Sequence, residues 1–494
     1  EGDAPEADGG ADAKDDRTDG GGESGRRGGG RNQGGEPSGR NQGDQQGRNQ
    51  GGDQGRNQNQ GGNQNQGGQN QGGDDANEPN GNQRDPNEQQ DGEAESGNRR
   101  RRRRGRDRDR RPDDDGAPIE PIEVEGMVDL RDEGYGFLRL HGYLPSRDDA
   151  YISVKQTRQF GLRTGDTVRG KSRPPARNEK NPALLQVDSV NGYEAHNQPP
   201  RPRFDELIVL FPQERLTLEL ADDPSNATAR AIDLLAPIGK GTRGLIASPP
   251  KAGKTSTIKQ IVRSIEVNHP DVELFVVLID ERPEEITEMK RWLLRGSVAS
   301  SAVDRPADEH TAVAELVVEK AKRRVEAGSD VVIVLDGLTR LARAYDLVAP
   351  AGGRLLAGGL DASAVFPTKQ LFGAARNAEE GGSLTILATA VVGTGSATDQ
   401  AIFDSFSGSE NQEIKLDRTL ADRRLFPAID IEASSTRHDD LLVDKAQLAS
   451  VAALRQLLSA RIAESGPAAG LELLLERLAA SKSNADLLAK VAKG

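Results

Sequence analysis

The sequence predicts a multidomain chain: a disordered polar tract, then a small β-barrel, then a larger α/β domain with a parallel sheet and C-terminal helices. Three observations carry this expectation. Residues 1–117 contain no aromatic side chain and almost no aliphatic one, so they cannot bury enough apolar surface to offset chain entropy. The following stretch breaks into short branched runs separated by Gly and Asp turns. Beyond about Leu207, continuous apolar runs alternate with amphipathic ones, the pattern of strands covered on both faces by helices.

The net charge of −13 hides a division within the first tract. Residues 1–98 carry 20 acidic against 9 basic side chains, whereas residues 99–111 carry 10 arginines against 2 aspartates. The unit "GRNQ" recurs from Gly30, Gly39, Gly47 and Gly55 in a Gly/Asn/Gln background. Without apolar positions such copies form a flexible polar spacer, and the Arg run adds salt-sensitive contact with RNA phosphates. Cysteine is absent, which removes disulfides, thiolate nucleophiles and Cys-ligated zinc and points to a cytoplasmic protein. No apolar run approaches the roughly 18 residues of a membrane span.

Residues 118–195 are expected to form the barrel. "IEPIEVEGMVDLRDEGYGFLRL", "DAYISVKQTRQF", "GDTVRGKSR" and "ALLQVDSV" supply several short strands, most simply of OB type. Pro199, Pro200 and Pro202 mark a linker over 196–215. The α/β domain then spans 216–494, with strands at "RGLIAS", "VELFVVLID", "DVVIVLDG" and "GSLTILATAVV". The last 50 or so residues show apolar positions at helical spacing.

The stretch "LIASPPKAGKTS", residues 245–256, ends like a phosphate-binding loop, although Ser248 stands where the usual pattern begins with Gly. A strand leads in and a helix leads out. Lys251, Ala252, Gly253, Lys254, Thr255 and Ser256 can therefore aim backbone N–H groups at anionic oxygens, while Pro249 and Pro250 hold the first half of the loop at fixed φ. "DVVIVLD" ends in Asp336, where such sheets place a carboxylate for Mg²⁺ alongside the Thr255 hydroxyl. A third strand ends at "LIDERPEE", and one carboxylate there could activate water. The residue types alone leave Asp280, Glu281, Glu284 and Glu285 all open. Arginines crowd late, in "LDRTLADRRLFPAID" and "SSTRHDD", as candidates for stabilising charge on a transferred phosphoryl group.

With these residues in place, the chain from Ile119 onward resembles the bacterial transcription termination factor Rho family, hexameric RNA translocases driven by ATP with a RecA-like core. "PPKAGKT", "LIDERPEE", "LDGLTRLARAY", "LFGAARN", "EEGGSLTILATA" and "FPAID" occur in family order. The resemblance implies that Lys251 and Lys254 bind phosphates, Thr255 and Asp336 hold Mg²⁺, Glu281 activates water and Phe426 stacks on adenine. It implies that Arg282 is a nucleotide-coupled arginine at a subunit interface and Arg437 a finger reaching a neighbouring subunit, assisted by Arg424. It places RNA contacts in a pore loop over 349–362, with Arg354, Leu355 and Leu356, and in a loop over 393–399, with Gly395 and Ser396. The implied partners are single-stranded RNA, five further copies of the chain and the RNA polymerase elongation complex.

The barrel also resembles the family's primary RNA site: two aromatics at period two, Tyr135 and Phe137, fit core residues equally well by spacing alone, and the resemblance implies that they stack on bases, with Arg139 placed for phosphates, Tyr151 joining that face and Glu179 retained. The sequence departs from the family at Ala397, where a basic residue is usual, and at Asn181, where an aromatic usually helps enclose cytosine. An amide has both a donor and an acceptor, so Asn181 is expected to relax base selectivity. A family-like N-terminal helical subdomain is not recognisable. The competing readings are a rotary-ATPase catalytic subunit, which shares the α/β core, and a non-enzymatic RNA chaperone in which the polar tract is the active part.

Overall fold

The computed structural model describes residues 120–350 and 352–492, and the polar and Arg-rich tract lies outside the described residues. The first element is a six-stranded sheet that closes on itself. β1 (Ile122–Leu130), β2 (Gly136–Arg139) and β3 (Ala150–Ile152) form a meander, a short helix α1 (Val154–Phe160) follows, and β4 (Thr167–Arg173), β5 (Ala183–Val190) and β6 (Tyr193–Glu194) complete the order β3-β2-β1-β4-β5-β6. Parallel pairing of Tyr151 with Ala183 joins β3 to β5 and makes the barrel. Its interior holds Val128, Leu138, Ala150, Ile152, Val168 and Val187, the inward set of the period-two alternation. Ser153 and Gln156 make a reciprocal capping box that starts α1 directly after β3.

The second element is a nine-stranded sheet. β7 (Val209–Leu210) lies at one edge, and α2 (Ala227–Leu235) precedes β8 (Arg243–Ser248). Alternating units follow: α3 (Lys254–Asn268), β9 (Glu273–Glu281), α4 (Pro283–Trp292), β10 (Ser297–Ala302), α5 (Ala307–Glu326), β11 (Val331–Asp336) and α6 (Leu338–Val348). Then come α7 (Ala362–Phe372), β12 (Arg376–Ala378), β13 (Ser383–Val391), α8 (Ala397–Phe406), β14 (Gln412–Lys415), α9 (Arg418–Asp422) and β15 (Ser435–Thr436). The central order is β10-β9-β11-β13-β8-β14, all parallel, so β8, β9, β11 and β13 end at one edge. One apolar cluster lies on each face, which is why β11 is buried at every position.

Three C-terminal helices, α10 (Lys445–Ser465), α11 (Pro467–Ala479) and α12 (Asn484–Val491), pack on the α2 face. Arg230 on α2 is 1% exposed and ties them down. Its guanidinium donates to the carbonyls of Leu478 at 2.7 Å and Ser481 at 3.1 Å, to Ser481 Oγ at 2.7 Å and to Asn484 Oδ1 at 3.2 Å. A buried cation is tolerated there because its donors are taken up.

The segment expected as a plain linker does more than connect. Phe204 is buried, and β7 pairs with β12 in the large sheet. The Phe204 N–H and Arg323 both donate to Glu326 Oε1 at 2.8 Å, and Arg163 of the barrel donates to the same oxygen at 3.1 Å. Gly165, at φ 90°, lies against α5 so closely that a Cβ would come within 2.5 Å of Glu319 and Lys320 backbone atoms. Gly165→Ala is therefore expected to destabilise the fold by about 2–4 kcal/mol, combining overpacking with left-handed strain. Gly192→Ala, at φ 85° in open space, should incur the strain alone, about 1–2 kcal/mol. Parallel thermal melts check the difference, and equal shifts would contradict the close contact.

Candidate functional site

The nucleotide-type site forms where β8, β9, β11 and β13 end. β8 leads into the loop, whose backbone turns through left-handed Lys251 at φ 63° and Gly253 at φ 94° before α3 begins at Lys254. Ser248, in place of the usual Gly, is the buried last residue of β8; it pairs with Val391, and its hydroxyl donates to the Pro249 carbonyl at 3.0 Å. The first helical backbone bond runs from Thr257 N–H to Gly253. Among the described residues, the N–H groups of Gly253, Lys254, Thr255 and Ser256 have no protein acceptor. Free donors at a helix N-terminus, with Lys251 exposed beside them, suit a polyphosphate.

Two buried carboxylates face this loop. Asp336, at the end of β11, is ion-paired with Lys254 Nζ and accepts from Thr389 Oγ1 at 2.8 Å. Glu281, at the end of β9, is 6% exposed and ion-paired with Arg340 of α6, whose other nitrogen lies 3.8 Å from Asp336. Burial pushes the Glu281 carboxyl from its usual 4.5 up to about 7, with a hydrogen bond to Glu285 and the charge of Asp336 adding to it and Arg340 and Lys254 opposing it. Of the carboxylates left open by the sequence, Glu284 is exposed, and the backbone carbonyl of Asp280 is held by Arg340. Glu281 is the one placed between Arg340 and Glu285 at the strand ends.

The loop's outer side meets the late arginine segment. A Cβ on Gly253 would sit 3.2 Å from the Phe426 ring, so the aromatic face closes directly on the loop. Arg418, which the sequence reading did not single out, donates to the Pro250 carbonyl at 2.7 Å and to Asp422 at 2.8 Å. Pro250 has no N–H, so its carbonyl is the handle available to fix that half of the loop. Arg340 and Thr389 were likewise not singled out. Arg340 lies four residues beyond Asp336, a helical spacing that could have flagged it.

The remaining arginines divide. Arg282 caps α4, with its side chain 71% exposed and 3.9 Å from Glu285. Arg424 is exposed two residues before Phe426, on the side of this chain's own loop. Arg437 follows β15, whose Thr436 is aligned through Gln412 with Gly244 near the start of β8. Four residues of strand separate Gly244 from Ser248, so Arg437 is roughly 13 Å or more from the loop of its own chain, at the opposite sheet edge. Within one chain Arg424 and Arg437 stand at opposite ends of the same strands.

On the barrel, Tyr135, Phe137 and Tyr151 form one outward cluster with ring centroids 5.8–6.2 Å apart. Phe137 pairs with Tyr151 across β2 and β3 while Leu138 points into the core. Arg139 requires a correction. Its side chain is 3% exposed and paired with Asp129 and Asp149, the latter at 2.7 Å, so it is not presented to a phosphate. Glu179 is exposed and bidentate to Arg173 at 2.6 and 2.8 Å, which holds its carboxyl down at about 2. Asn181 does not leave both amide functions free. Its Nδ2 donates to the carbonyls of Asp149 at 3.2 Å and Ser146 at 3.4 Å.

The two expected channel loops meet. Thr398 Oγ1 donates to the Gly358 carbonyl at 2.9 Å, and Gly358 lies against the backbone of Ala397 and Thr398. Arg354 and Leu355 are exposed beside them, Leu356 N–H donates to Leu360, and Ser396 caps α8 just after Gly395. α6 connects these loops to the carboxylates, since it carries Arg340 to Glu281, Arg343 to Asp399 and Asp346 to the backbone of Asp361.

Fold and site thus define a P-loop nucleotide-binding domain joined to an RNA-binding barrel. Residues 124–196 match the family described as Rho termination factor, RNA-binding domain, and residues 228–436 match the ATP synthase alpha/beta family, nucleotide-binding domain. The chain is 51% identical over 375 residues to the transcription termination factor Rho of Streptomyces lividans, covering 75% of this chain and 52% of that one. It is 51% identical over 368 residues to that of Allochromatium vinosum, covering 74% and 87%, and 46% identical over 417 residues to that of Mycobacterium bovis, covering 82% and 68%. The match spans about half the length of the Streptomyces relative. The chain belongs to the transcription termination factor Rho family.

The raised Glu281 carboxyl predicts a stability slope. Its folded-state value lies above the unfolded one, so the stability it contributes is full below about pH 4.5 and is lost as pH rises through about 7. Glu281→Gln cannot ionise. Its melting temperature relative to wild type should therefore rise between pH 5 and pH 8, and a difference independent of pH would contradict the buried, raised carboxyl.

Proposed function

We propose that the chain is an ATP-hydrolysing motor that binds single-stranded RNA, moves along it as a hexameric ring and terminates transcription by displacing RNA polymerase in the cytoplasm. The observation that carries this reading is the position of Arg437, at the sheet edge opposite the phosphate loop of its own chain. An arginine so placed completes a site only on a neighbouring copy, and a ring gives every copy such a neighbour. Among the described residues no helix is long and apolar enough to cross a membrane.

In this reading the free N–H groups of the loop, with Lys251 and Lys254, bind the phosphates and Phe426 covers the adenine. Thr255 and Asp336 would hold Mg²⁺, which neutralises phosphate charge when bound. The donor set fits, being one hydroxyl in the first turn of α3 and one buried carboxylate at the end of β11. Glu281 takes the proton of the attacking water, and its raised carboxyl gives it a basicity matched to neutral pH. Arg340 orients it, Arg437 of the adjacent copy stabilises charge on the γ-phosphate, and Arg282 reports the nucleotide state to the interface. Movement of α6 transmits that state through Arg343 and Asp346 to the two glycine-rich loops that grip RNA in the channel.

Lys254→Ala is expected to abolish ATP hydrolysis while RNA binding persists, because the loop and the Tyr135 face lie in different domains; hydrolysis assays beside RNA binding isotherms check this. Arg437→Ala chains mixed with wild type should depress turnover more steeply than their fraction. A linear dose response would show that each chain works alone and would contradict the ring.

A further inference from the structure

We infer that a cleft at the amino ends of β9 and β10 is a binding site for a small phosphorylated metabolite, whose phosphoryl group is held between Lys320 and Arg295. The cleft measures about 260 Å³ and is bordered by Glu266, His269, Glu273, Arg295, Ser297 and Lys320. Glu273 and Ser297 open β9 and β10, whereas Glu281 and the phosphate-binding loop lie where the strands end. The length of β9 separates the two places by roughly 26 Å, so the cleft is a second site.

Its charge does not balance. Glu266 is engaged through both oxygens, one accepting from the N–H groups of Leu294, Arg295 and Gly296 at 2.9, 2.8 and 3.2 Å and the other from Arg263 at 3.2 Å. Glu273 is paired with Arg324 at 2.6 Å. Neither Arg263 nor Arg324 borders the cleft, so both carboxylates are neutralised from outside it. Two cations are left over. Among the described residues, the side chains of Lys320 and Arg295 have no carboxylate within ion-pair distance and no hydrogen-bond acceptor.

Both cations are held in place. The Lys320 ammonium lies 5.3 Å from the centroid of the buried Phe275 ring, and burial draws its pKa below the usual lysine range, with Glu273 opposing and Arg324 adding to the effect. A cation taken from water without a counter-ion is costly, and an anion in the cleft supplies the missing partner. Arg295 stands in the turn that Glu266 fixes, and Gly296 beside it packs so tightly that a Cβ would come 3.0 Å from the Leu274 carbonyl. Its planar fork and the lysine's point charge together match a phosphate dianion. A single carboxylate would satisfy only one of them. The volume lies below the roughly 300 Å³ at which drug-sized pockets begin, which leaves room beside the phosphoryl group for a body of a few carbon atoms.

The test is site-resolved amine labelling of the full chain, with the nucleotide site filled by a non-hydrolysable ATP analogue and Mg²⁺. Acetylation of Lys320 by an activated acetyl ester is followed by peptide mass spectrometry as glycerol 3-phosphate is added at constant ionic strength. Occupancy is expected to slow labelling of Lys320 saturably by about fivefold or more while Lys445 is unaffected, and Arg295→Gln should raise the ligand concentration needed by about tenfold, the worth of one charged contact. The melting temperature of the same sample should rise with ligand in wild type and not in Lys320→Gln, which gives a second reading should the label enter slowly. Unchanged labelling and melting in wild type overturn the inference without recourse to any variant. Protection that Arg295→Gln leaves intact also overturns it. Equal protection by acetate would show a site for simple charge and contradict the phosphoryl assignment. Protection by oligo-uridine and not by glycerol 3-phosphate would assign the two cations to an RNA backbone instead.

Discussion

The structure is organised around the requirement that charges buried at the carboxyl edge of the large sheet be paired. Asp336 and Glu281 lie inside that edge, and each is met by a cation from a different element, Lys254 from the loop helix and Arg340 from α6. An unpaired carboxylate at such burial would be costly, so the two ion pairs fix the loop, β9, β11 and α6 relative to one another. Thr389 adds β13 to the set through its hydroxyl. Three strands and two helices thus share one electrostatic constraint, and the phosphate-binding loop lies at its centre.

That constraint also reaches outward. α6 begins beside Asp336 and ends at the glycine-rich loop over 349–362, with Arg343 tied to the loop over 393–399 and Asp346 to the first. At the other end of the domain, α5 carries Glu326, whose carboxylate collects the barrel's Arg163, the Phe204 N–H and Arg323. The aromatic face of the barrel is therefore held to the α/β domain by a buried cluster and by the backbone contact at Gly165.

Much of this was legible in the sequence because it is local. The loop, the strand ending in Asp336 and the aromatic alternation at Tyr135 and Phe137 each show within a dozen residues, and each lies in the expected kind of element. What escaped is what depends on partners brought together by folding. Arg139 read as an exposed phosphate ligand, because Asp129 and Asp149 reach it only once β1, β2 and the turn before β3 are assembled. Asn181 read as a free amide for the same reason. Arg340, Thr389 and Arg418 lie inside runs read for other residues, and their roles follow from groups 53 to 168 residues away in the chain or on the next helical turn. The packing of the linker was not legible, because its buried aromatic, Phe204, has no periodic pattern around it.

The proposed motor couples nucleotide chemistry to RNA. Its most direct measurement is ATP turnover by the full chain, titrated with single-stranded RNA at fixed ATP and Mg²⁺. Such coupling gives low turnover without RNA and a saturable rise as RNA is added. Turnover that is the same with and without RNA would contradict it and would favour an α/β ATPase whose barrel serves another purpose.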